Sequence, residues 1–203
     1  MLIEVAKAGD PHLIQLLTAF QHGDDYYMVF PLAAQSLKHL FTTEPDRSIP
    51  LLMWLIDQLV GISKGLRTIH RRFPSQSASQ QQESLAVPKQ GGGQTASFGY
   101  HHDLSPGNIL VFKELNVRLY GLEALYGRLQ ISDFGLGKFR IDVSHTPSIN
   151  GMVTYLPPEA GEHNEKRLQS RAKDIWSLGC IIIELFVWFL EGPGVMNNFA
   201  DER

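Results

Sequence analysis

Asp103 and Asn108 stand five residues apart in the segment HHDLSPGNILV (residues 101–111), which runs directly into an apolar stretch. This spacing suits metal-dependent phosphoryl transfer, because an aspartate orients an attacking hydroxyl and accepts its proton, while an asparagine amide oxygen is a hard ligand for Mg²⁺. A polar turn before a strand is the alternative interpretation of this segment alone. Asp133 removes most of that ambiguity, because it ends a second apolar stretch, in the segment ISDFG, where it is placed to bridge Mg²⁺ and phosphate oxygens.

Four short apolar stretches are predicted to form the strands that position these residues. Leu13–Phe20 and Tyr26–Pro31 flank the polar segment Gln21–Asp25, a pattern that predicts antiparallel strands joined by a tight turn. Ile109–Phe112 and Leu129–Ser132 are also strand-like, and each adjoins one of the two polar segments. We therefore expect strand ends to present the candidate site.

Two longer segments are predicted to be helices. From Pro50 to Ile69 apolar residues recur at three- and four-residue spacing, and Ser48 and Pro50 are typical start signals. Asp174–Leu190 is predicted to be an apolar helix buried inside the protein. Its most apolar part is shorter than the roughly 20 residues that cross a bilayer, and it contains Glu184.

Two segments interrupt this pattern. Residues 74–99 are rich in Ser, Gln and Gly and have no apolar periodicity, which predicts a disordered insertion because so little apolar surface is available for burial. Residues 113–128 are predicted to be a second insertion.

Composition excludes several classes of protein. The chain has 203 residues, a formal net charge of −3 and 43% hydrophobic residues, which are values of an ordinary globular protein. The charge gives no signal for nucleic-acid binding, and neither a secretory signal nor a membrane-spanning segment is found. The single cysteine, Cys180, excludes an internal disulfide framework and predicts a cytoplasmic or nuclear location.

Five segments, taken in order, resemble the motifs of eukaryotic protein kinases. Residues 101–111 resemble the catalytic loop and residues 131–135 resemble the DFG motif. The segment YLPPE (155–159) resembles the end of the activation segment, and DIWSLG (174–179) resembles the start of helix F, whose aspartate hydrogen-bonds the catalytic-loop backbone in the family. Pro11–Ile14 and the two strands after it resemble the stretch from helix C to the hinge.

The resemblance implies an α+β, protein kinase-like fold with a mainly helical large lobe. Residues 1–33 would correspond to the end of helix C, the fourth and fifth strands of the small lobe and the hinge. Residues 34–203 would correspond to part of the large lobe, with helices D to F, the catalytic loop and the activation segment. We therefore expect a domain that is truncated at both ends and leaves apolar surface exposed to protein partners.

The resemblance also implies the cofactors and the site residues. ATP and Mg²⁺ would be bound, and the phosphoryl acceptor would be a Ser or Thr hydroxyl of an unknown protein substrate. Asp103 would be the catalytic base, and Asn108 and Asp133 would be the Mg²⁺ ligands. The implied adenine contacts are Pro31, Ala33 and Leu110.

Departures from the family pattern lower the expected activity. Ser105 stands where a lysine steadies the transferring phosphate, and Met152 stands where a threonine contacts that lysine and the catalytic aspartate. His102 replaces the arginine that reads a phosphorylated activation loop. No Gly-rich loop and no third-strand lysine are found, so we expect this chain by itself to be a catalytically impaired fragment.

Two alternatives stay open at this point. A pseudokinase or interaction module would explain the missing lysines, although the presence of Asp103, Asn108 and Asp133 argues against it. An aminoglycoside- or choline-kinase-like phosphotransferase would share the HxDxxxxN loop. Such enzymes lack the long activation segment and the DxWSxG helix start, both of which this sequence resembles.

Overall fold

The computed structural model describes residues 9–74, 96–113, 122–133, 138–140, 153–158 and 171–195. The first elements are two antiparallel strands, β1 (Thr18–His22) and β2 (Asp25–Val29). Thr18 pairs with Val29 at the open end of this hairpin, and His22 pairs with Asp25 next to the turn. The predicted hairpin is therefore confirmed. Its strands are shifted toward the turn, because Gln21, His22 and Asp25 continue the strand pairing and leave only Gly23 and Asp24 between them.

All ten residues of this hairpin are exposed. Phe20 and Tyr27 stack on one another with their ring centroids 5.2 Å apart, and Tyr26 and Met28 are more than half exposed. A two-stranded sheet has too little surface to bury its own apolar side chains. The hairpin therefore carries the exposed apolar surface that the sequence predicts.

Helix α1 (Leu37–Leu40) is followed by the long helix α2 (Ile49–Ile69). Ser48 caps α2 by accepting a hydrogen bond from the Leu51 N–H at 3.1 Å, as the sequence predicts. Among the described residues, α2 is the one helix with the length and composition to cross a bilayer, but its apolar face packs in the protein core.

A three-stranded antiparallel sheet lies beside α2. Its order is β3 (Gln35–Ser36), β6 (Ile109–Phe112) and β7 (Arg128–Ile131), and Ile109 of β6 pairs with Ile131 of β7. This pairing brings the chain just before residue 109 next to the chain just after residue 131. The two polar segments singled out in the sequence thus meet at one end of one sheet.

The second sheet corrects the boundaries of the insertion predicted over residues 74–99. Strands β4 (Arg72–Pro74), β5 (Ala96–Tyr100) and β8 (Lys138–Arg140) pair in that order, all antiparallel. Both ends of the predicted insertion are therefore strands, because their backbones are hydrogen-bonded to each other and to β8. The remainder of that prediction, residues 75–95, lies outside the described residues.

The second predicted insertion, residues 113–128, contains helix α3 (Leu122–Tyr126), and its last residue begins β7. The Arg128 guanidinium pairs with the Glu123 carboxylate through two hydrogen bonds, at 2.8 and 2.6 Å, which ties α3 to the sheet. The sequence of this stretch does not indicate that it contains a helix joined to the sheet by an ion pair. Residues 114–121 lie outside the described part.

Helix α4 (Arg171–Glu191) forms as the sequence predicts but is buried on one face only, because Ile175, Trp176 and Ile183 on it are exposed. Leu178, Ile181 and Leu185 pack into the same core as α2 and the β3–β6–β7 sheet. The indole N–H of Trp188 donates to the Thr43 carbonyl at 2.7 Å and joins the end of α4 to the segment after α1. Cys180 is buried, also as expected.

A close approach fixes the segment before the hairpin. The ring of His12 lies against α2 at Gly61, where an added Cβ would be 2.0 Å from the ring nitrogen Nε2. The other ring nitrogen, Nδ1, hydrogen-bonds the Leu129 carbonyl of β7 at 2.8 Å. The segment around residue 12 is thereby held between α2 and the central sheet.

Candidate active site

Asp174, in the first turn of α4, anchors the backbone of the candidate catalytic loop. Its carboxylate accepts hydrogen bonds from the backbone N–H groups of His101 and His102, at 2.7 and 2.8 Å, and from Nε2 of His70 at 2.8 Å. The carboxylate is 1% exposed. The loop before Asp103 therefore has its backbone anchored to a buried charge on another element, which is the contact that the family resemblance implies.

The ionisation of Asp174 follows from these contacts. Burial opposes the charged form, but the hydrogen bonds from His70 and the backbone N–H of His101 outweigh it and hold the pKa of this carboxyl below its ordinary value. Sequence patterning does not reveal His70 as a partner, because this residue caps the C-terminus of α2 and lies 104 residues away.

His101 is fully buried beneath the loop. Its Nε2–H donates to the Ser132 carbonyl at 2.7 Å, and its Nδ1 accepts from the Asp103 N–H at 3.3 Å. Burial lowers the pKa of the imidazole below its ordinary value, against the opposing influence of Asp174. A neutral ring with its proton on Nε2 satisfies both contacts, so His101 links the two polar segments directly.

Asp103 and Asn108 lie within hydrogen-bond distance of each other. The Asn108 side-chain NH₂ donates to the Asp103 carbonyl at 2.7 Å and to its carboxylate oxygen Oδ2 at 3.1 Å. A 3₁₀ turn over Pro106–Asn108 closes the loop between them. The backbone carbonyl of Asn108 in turn accepts from the backbone N–H and the hydroxyl of Ser132, which fixes the Asn108 position against β7.

Asp133 follows Ser132 directly and is exposed. Its backbone φ is 57°, and that of His102 is 74°, so the chain takes a left-handed conformation immediately after β7 and immediately before Asp103. Such conformations persist only where the surrounding contacts impose them. For His102 such a contact is present, because its backbone N–H is bound to the buried Asp174 carboxylate.

The donor groups fit a hard divalent cation. The Asn108 amide nitrogen donates to Asp103, so the amide oxygen is not used in that contact. This oxygen and the Asp133 carboxylate are donors of the kind that Mg²⁺ takes together with water and phosphate oxygens. Among the described residues no cluster of three His, Cys, Asp or Glu side chains is found.

Ser105, which stands where the family has a lysine, is buried at the start of the 3₁₀ turn, and its carbonyl accepts from the Asn108 N–H at 3.0 Å. Sequence reasoning missed Lys173. This side chain is 6% exposed, and the charges that act on it are those of Asp174 and Asp103. The only feature of the sequence that could have drawn attention to Lys173 is its position directly before Asp174.

Of the three predicted adenine contacts, Pro31 and Ala33 lie in the segment between β2 and β3, and Leu110 lies on β6. Ala34, beside Ala33, donates its N–H to the Val111 carbonyl at 2.8 Å, and β3 then pairs with Leu110 and Val111. Ala33 and Leu110 are half-buried side chains packed against the core, and Pro31 is also half-buried. The hinge segment is thus hydrogen-bonded to the strand that leaves the catalytic loop.

Other predicted positions lie outside the described residues. They include Phe134 and Gly135 of the DFG-like segment, Met152 and Glu159. Tyr155, in the segment resembling the end of the activation segment, is described, and its hydroxyl hydrogen-bonds the buried Glu184 carboxylate at 2.9 Å. The Ser177 hydroxyl donates to the Tyr155 carbonyl at 2.9 Å, so α4 contacts this segment as well as the catalytic loop.

Acidification is expected to destabilise the fold through two histidines. Burial holds the pKa values of His12 and His101 below the ordinary value in the folded state, so the unfolded chain binds more protons as the pH falls. Stability is then complete above about pH 7.5 and declines as the pH falls through about 6.5, by up to about 1.4 kcal/mol per pH unit for each histidine. Urea denaturation at pH 5.5 to 8 measures this slope. His12→Asn should reduce it and the exposed-residue variant His39→Gln should not; an unchanged slope in His12→Asn contradicts the assignment.

Comparison with known proteins agrees with this geometry. The family model of the protein kinase domain matches residues 97–190, which include the catalytic loop, Asp133 and most of α4. The chain is a homologue of protein kinases. Kinase relatives also match outside that range and extend across almost the whole chain.

Three relatives illustrate the range of similarity. Mitogen-activated protein kinase kinase 5 of Leishmania mexicana is 28% identical over 99% of this chain and 31% of its own length. Cysteine-rich receptor-like protein kinase 45 of Arabidopsis thaliana is 24% identical over 97% of this chain and 48% of its own length. Serine/threonine-protein kinase MPS1 of Encephalitozoon cuniculi is 38% identical over 42% of this chain and 13% of its own length. This chain thus spans less than half the length of these relatives.

Proposed function

We propose that the protein transfers the γ-phosphoryl group of Mg-ATP to Ser or Thr hydroxyls of protein substrates. The observation that carries the proposal is the anchoring of the loop by Asp174, which supports Asp103 and Asn108 at 3.1 Å from each other beside Asp133. Phosphoryl transfer requires positioning and charge stabilisation more than covalent chemistry, and this arrangement supplies positioning. The Ser/Thr class is supported by relatives that carry it in their names.

The residues of the site divide the tasks of phosphoryl transfer in this proposal. A carboxylate oxygen of Asp103 orients the acceptor hydroxyl and accepts its proton, while Asn108 keeps that carboxylate in place through its NH₂ group. The amide oxygen of Asn108 and the carboxylate of Asp133 would hold Mg²⁺, which neutralises phosphate charge when it is bound. The Pro31 carbonyl, the Ala33 N–H and the Leu110 side chain would contact adenine.

Transfer is expected to be slow. Ser105 provides no positive charge beside Asp103, and removing one group that stabilises transition-state charge commonly costs about 10²-fold or more in rate. Because no Gly-rich loop and no third-strand lysine are found in this sequence, we expect the 203-residue chain by itself to show no detectable transfer. We therefore propose an impaired kinase domain.

The test uses the protein at the length found by mass spectrometry in its source cells, with ³²P transfer from labelled ATP to a generic protein substrate. We expect transfer that requires Mg²⁺ and that falls about 10²-fold or more in Asp103→Asn, because a positioned base contributes 10²–10⁴-fold. Asp57→Asn, an exposed substitution on α2, is the matched control and should retain full activity. Transfer that survives Asp103→Asn would contradict the assigned base.

The test also separates the alternatives. A folded protein of native length that transfers no phosphate to any protein substrate, and that binds partners equally well as Asp103→Asn, would be a pseudokinase or interaction module. The small-molecule phosphotransferase alternative is not favoured, since the relatives described above are protein kinases. Besides the protein substrate we propose no nucleic-acid or membrane partner, and a cytoplasmic or nuclear location.

A further inference from the structure

Helix α2 has an apolar stripe on its outer side in addition to the apolar face that packs in the core. The members of this stripe are between 45% and 76% exposed, and they are Ile49, Met53, Ile56 and Val60. Because an α-helix has 3.6 residues per turn, their spacing of four, three and four residues keeps them on one side of the helix. A helix that is apolar on both sides is normally buried on both.

Helix α4 has a second exposed apolar stripe. Trp176, Ile183 and Leu190 recur every seven residues on the side of α4 that faces away from the core, and they are between 45% and 62% exposed. Two helices of 21 residues thus carry apolar side chains that the described part of the chain leaves in contact with solvent. Exposed apolar surface of this extent is typical of an interaction site.

A groove of about 460 Å³ lies between the two helices and joins the stripes. Its apolar lining comes from Ile56, Leu59 and Val60 of α2 and from Phe186 of α4. Toward the C-terminal end of α2 the lining becomes basic, with Lys64 and Arg67. The groove is therefore apolar along most of its length and positively charged at one end.

The two cations of the groove have no counter-charge among the described residues. Lys64 and Arg67 are exposed, and neither forms an ion pair with a carboxylate in the part of the chain that the structure describes. Asp57, the one acidic residue of α2, does not line the groove. An occupant with carboxylates at this end would complement both cations, whereas a basic occupant would be repelled.

The spacing of the exposed side chains indicates the shape of the occupant. Stripes at three- and four-residue or seven-residue spacing form the seam along which one helix packs against another. The stripe of α2 from Ile49 to Val60 is about 16 Å long, or three helical turns. A small ligand in the groove would leave most of this length uncovered, whereas a helix lying along it would cover both stripes.

We propose that the groove between α2 and α4 is a docking site for an amphipathic helix of a partner protein. The apolar side chains of that helix, at positions i, i+3, i+4 and i+7, pack on the two stripes, and its acidic side chains face Lys64 and Arg67. The proposal does not depend on phosphoryl transfer, because the lining of the groove contains no residue of the candidate active site.

The test measures binding of synthetic helical peptides to the 203-residue chain by fluorescence anisotropy. The probe is a labelled peptide of about five helical turns, with leucines at positions i, i+3, i+4 and i+7 of each repeat and glutamates grouped at one end. One control peptide has the same composition in scrambled order, and the other has lysines in place of the glutamates. We expect the acidic amphipathic peptide to bind at least about tenfold more tightly than either control.

Variants of the chain locate the binding site. Ile56→Asp and Val60→Asp place a charge in the groove at side chains that are already exposed, and each should weaken binding of the acidic peptide about tenfold or more. Lys64→Glu and Arg67→Glu leave the apolar lining intact and should reverse the preference between the acidic and the basic peptide. Met28→Asp, at an exposed apolar side chain of β2, is the matched control and should bind as wild type does. Circular dichroism verifies that each variant is folded.

Three results would overturn the proposal. The first is equal binding of all three peptides, or binding that survives both Ile56→Asp and Lys64→Glu. The second is a dimer in sedimentation velocity that Ile56→Asp dissociates, with no preference for the acidic peptide, which would assign the surface to a second copy of the chain. The third is binding to vesicles of phosphatidylcholine and phosphatidylserine that Ile56→Asp abolishes, again with no peptide preference, which would assign it to a membrane.

Discussion

Asp174→Asn is expected to lower the free energy of unfolding by about 3–5 kcal/mol, the usual cost of removing one partner from a buried charged network. The carboxylate accepts three hydrogen bonds, from His70 and from the backbone N–H groups of His101 and His102. An asparagine keeps one oxygen but directs an NH₂ group at donors. At least one buried N–H is then left without an acceptor.

Urea denaturation monitored by tryptophan fluorescence measures this loss. Asp24→Asn makes the same chemical change in the exposed turn between β1 and β2 and should alter stability by less than about 0.5 kcal/mol. Amide hydrogen exchange gives an independent readout, since the His101 and His102 amides should exchange faster in Asp174→Asn than in wild type. Equal stability of the two variants would show that Asp174 does not anchor the loop.

The pH range of this effect follows from the direction of the pKa shift. Because the pKa of Asp174 is lower in the folded than in the unfolded chain, its contribution is complete above the unfolded value of about 3.9 and is lost as the pH falls through the folded value. The difference between wild type and Asp174→Asn should therefore stay constant above about pH 7.5 and change below about pH 7, because the Asp174 charge also favours the protonated form of His101. The loss of stability that His12 causes below about pH 7 should persist in Asp174→Asn, because His12 does not contact Asp174.

Gly127→Ala is expected to lower the free energy of unfolding by about 2–5 kcal/mol. Gly127 joins α3 to β7 with a φ of 94°, a conformation that side-chain-bearing residues rarely adopt, and an added Cβ would be 2.7 Å from the Phe112 carbonyl oxygen. That oxygen belongs to the backbone of a central strand and has no freedom to withdraw. The Gly127 carbonyl also accepts from the indole N–H of Trp54 at 2.7 Å, so a shift of residue 127 would disturb α2 as well.

Gly179→Ala is the matched control. Gly179 lies within α4, where an added Cβ meets no atom within 4 Å, so the substitution should stabilise the fold by about 0.5–1 kcal/mol through the higher helix propensity of alanine. Urea denaturation of the two variants should give effects of opposite sign. Destabilisation by both to the same extent would mean that an added methyl group is costly without a contact like that with Phe112, and would contradict the steric explanation.

The sequence by itself determined the central elements and the chemical groups of the site. The strand at Ile109–Phe112 is as predicted, and α2 begins at its predicted Ser48 cap, because these segments have strong periodicity and local capping signals. The spacing of Asp103 and Asn108 was informative for the same reason. A loop of five residues between fixed ends leaves few arrangements of its side chains.

The edges of both insertions required the tertiary structure. Strands β4 and β5 carry no apolar alternation, and they exist because their backbones pair with each other and with β8. Helix α3 is held to β7 by the ion pair between Glu123 and Arg128. Local composition does not encode pairing between segments that are distant in sequence.

The anchoring of the loop that carries Asp103 was likewise decided by tertiary structure alone. His70 lies 33 residues before Asp103 in the chain and does not stand at a position whose type or spacing marks it for the site. Packing of α4 against the loop brings the Asp174 carboxylate within hydrogen-bond distance of His70 and of the backbone N–H groups of His101 and His102. Sequence spacing determines which groups share one loop, whereas burial between elements determines which charges act on them, because Coulomb interactions depend on distance in space and on the exclusion of water.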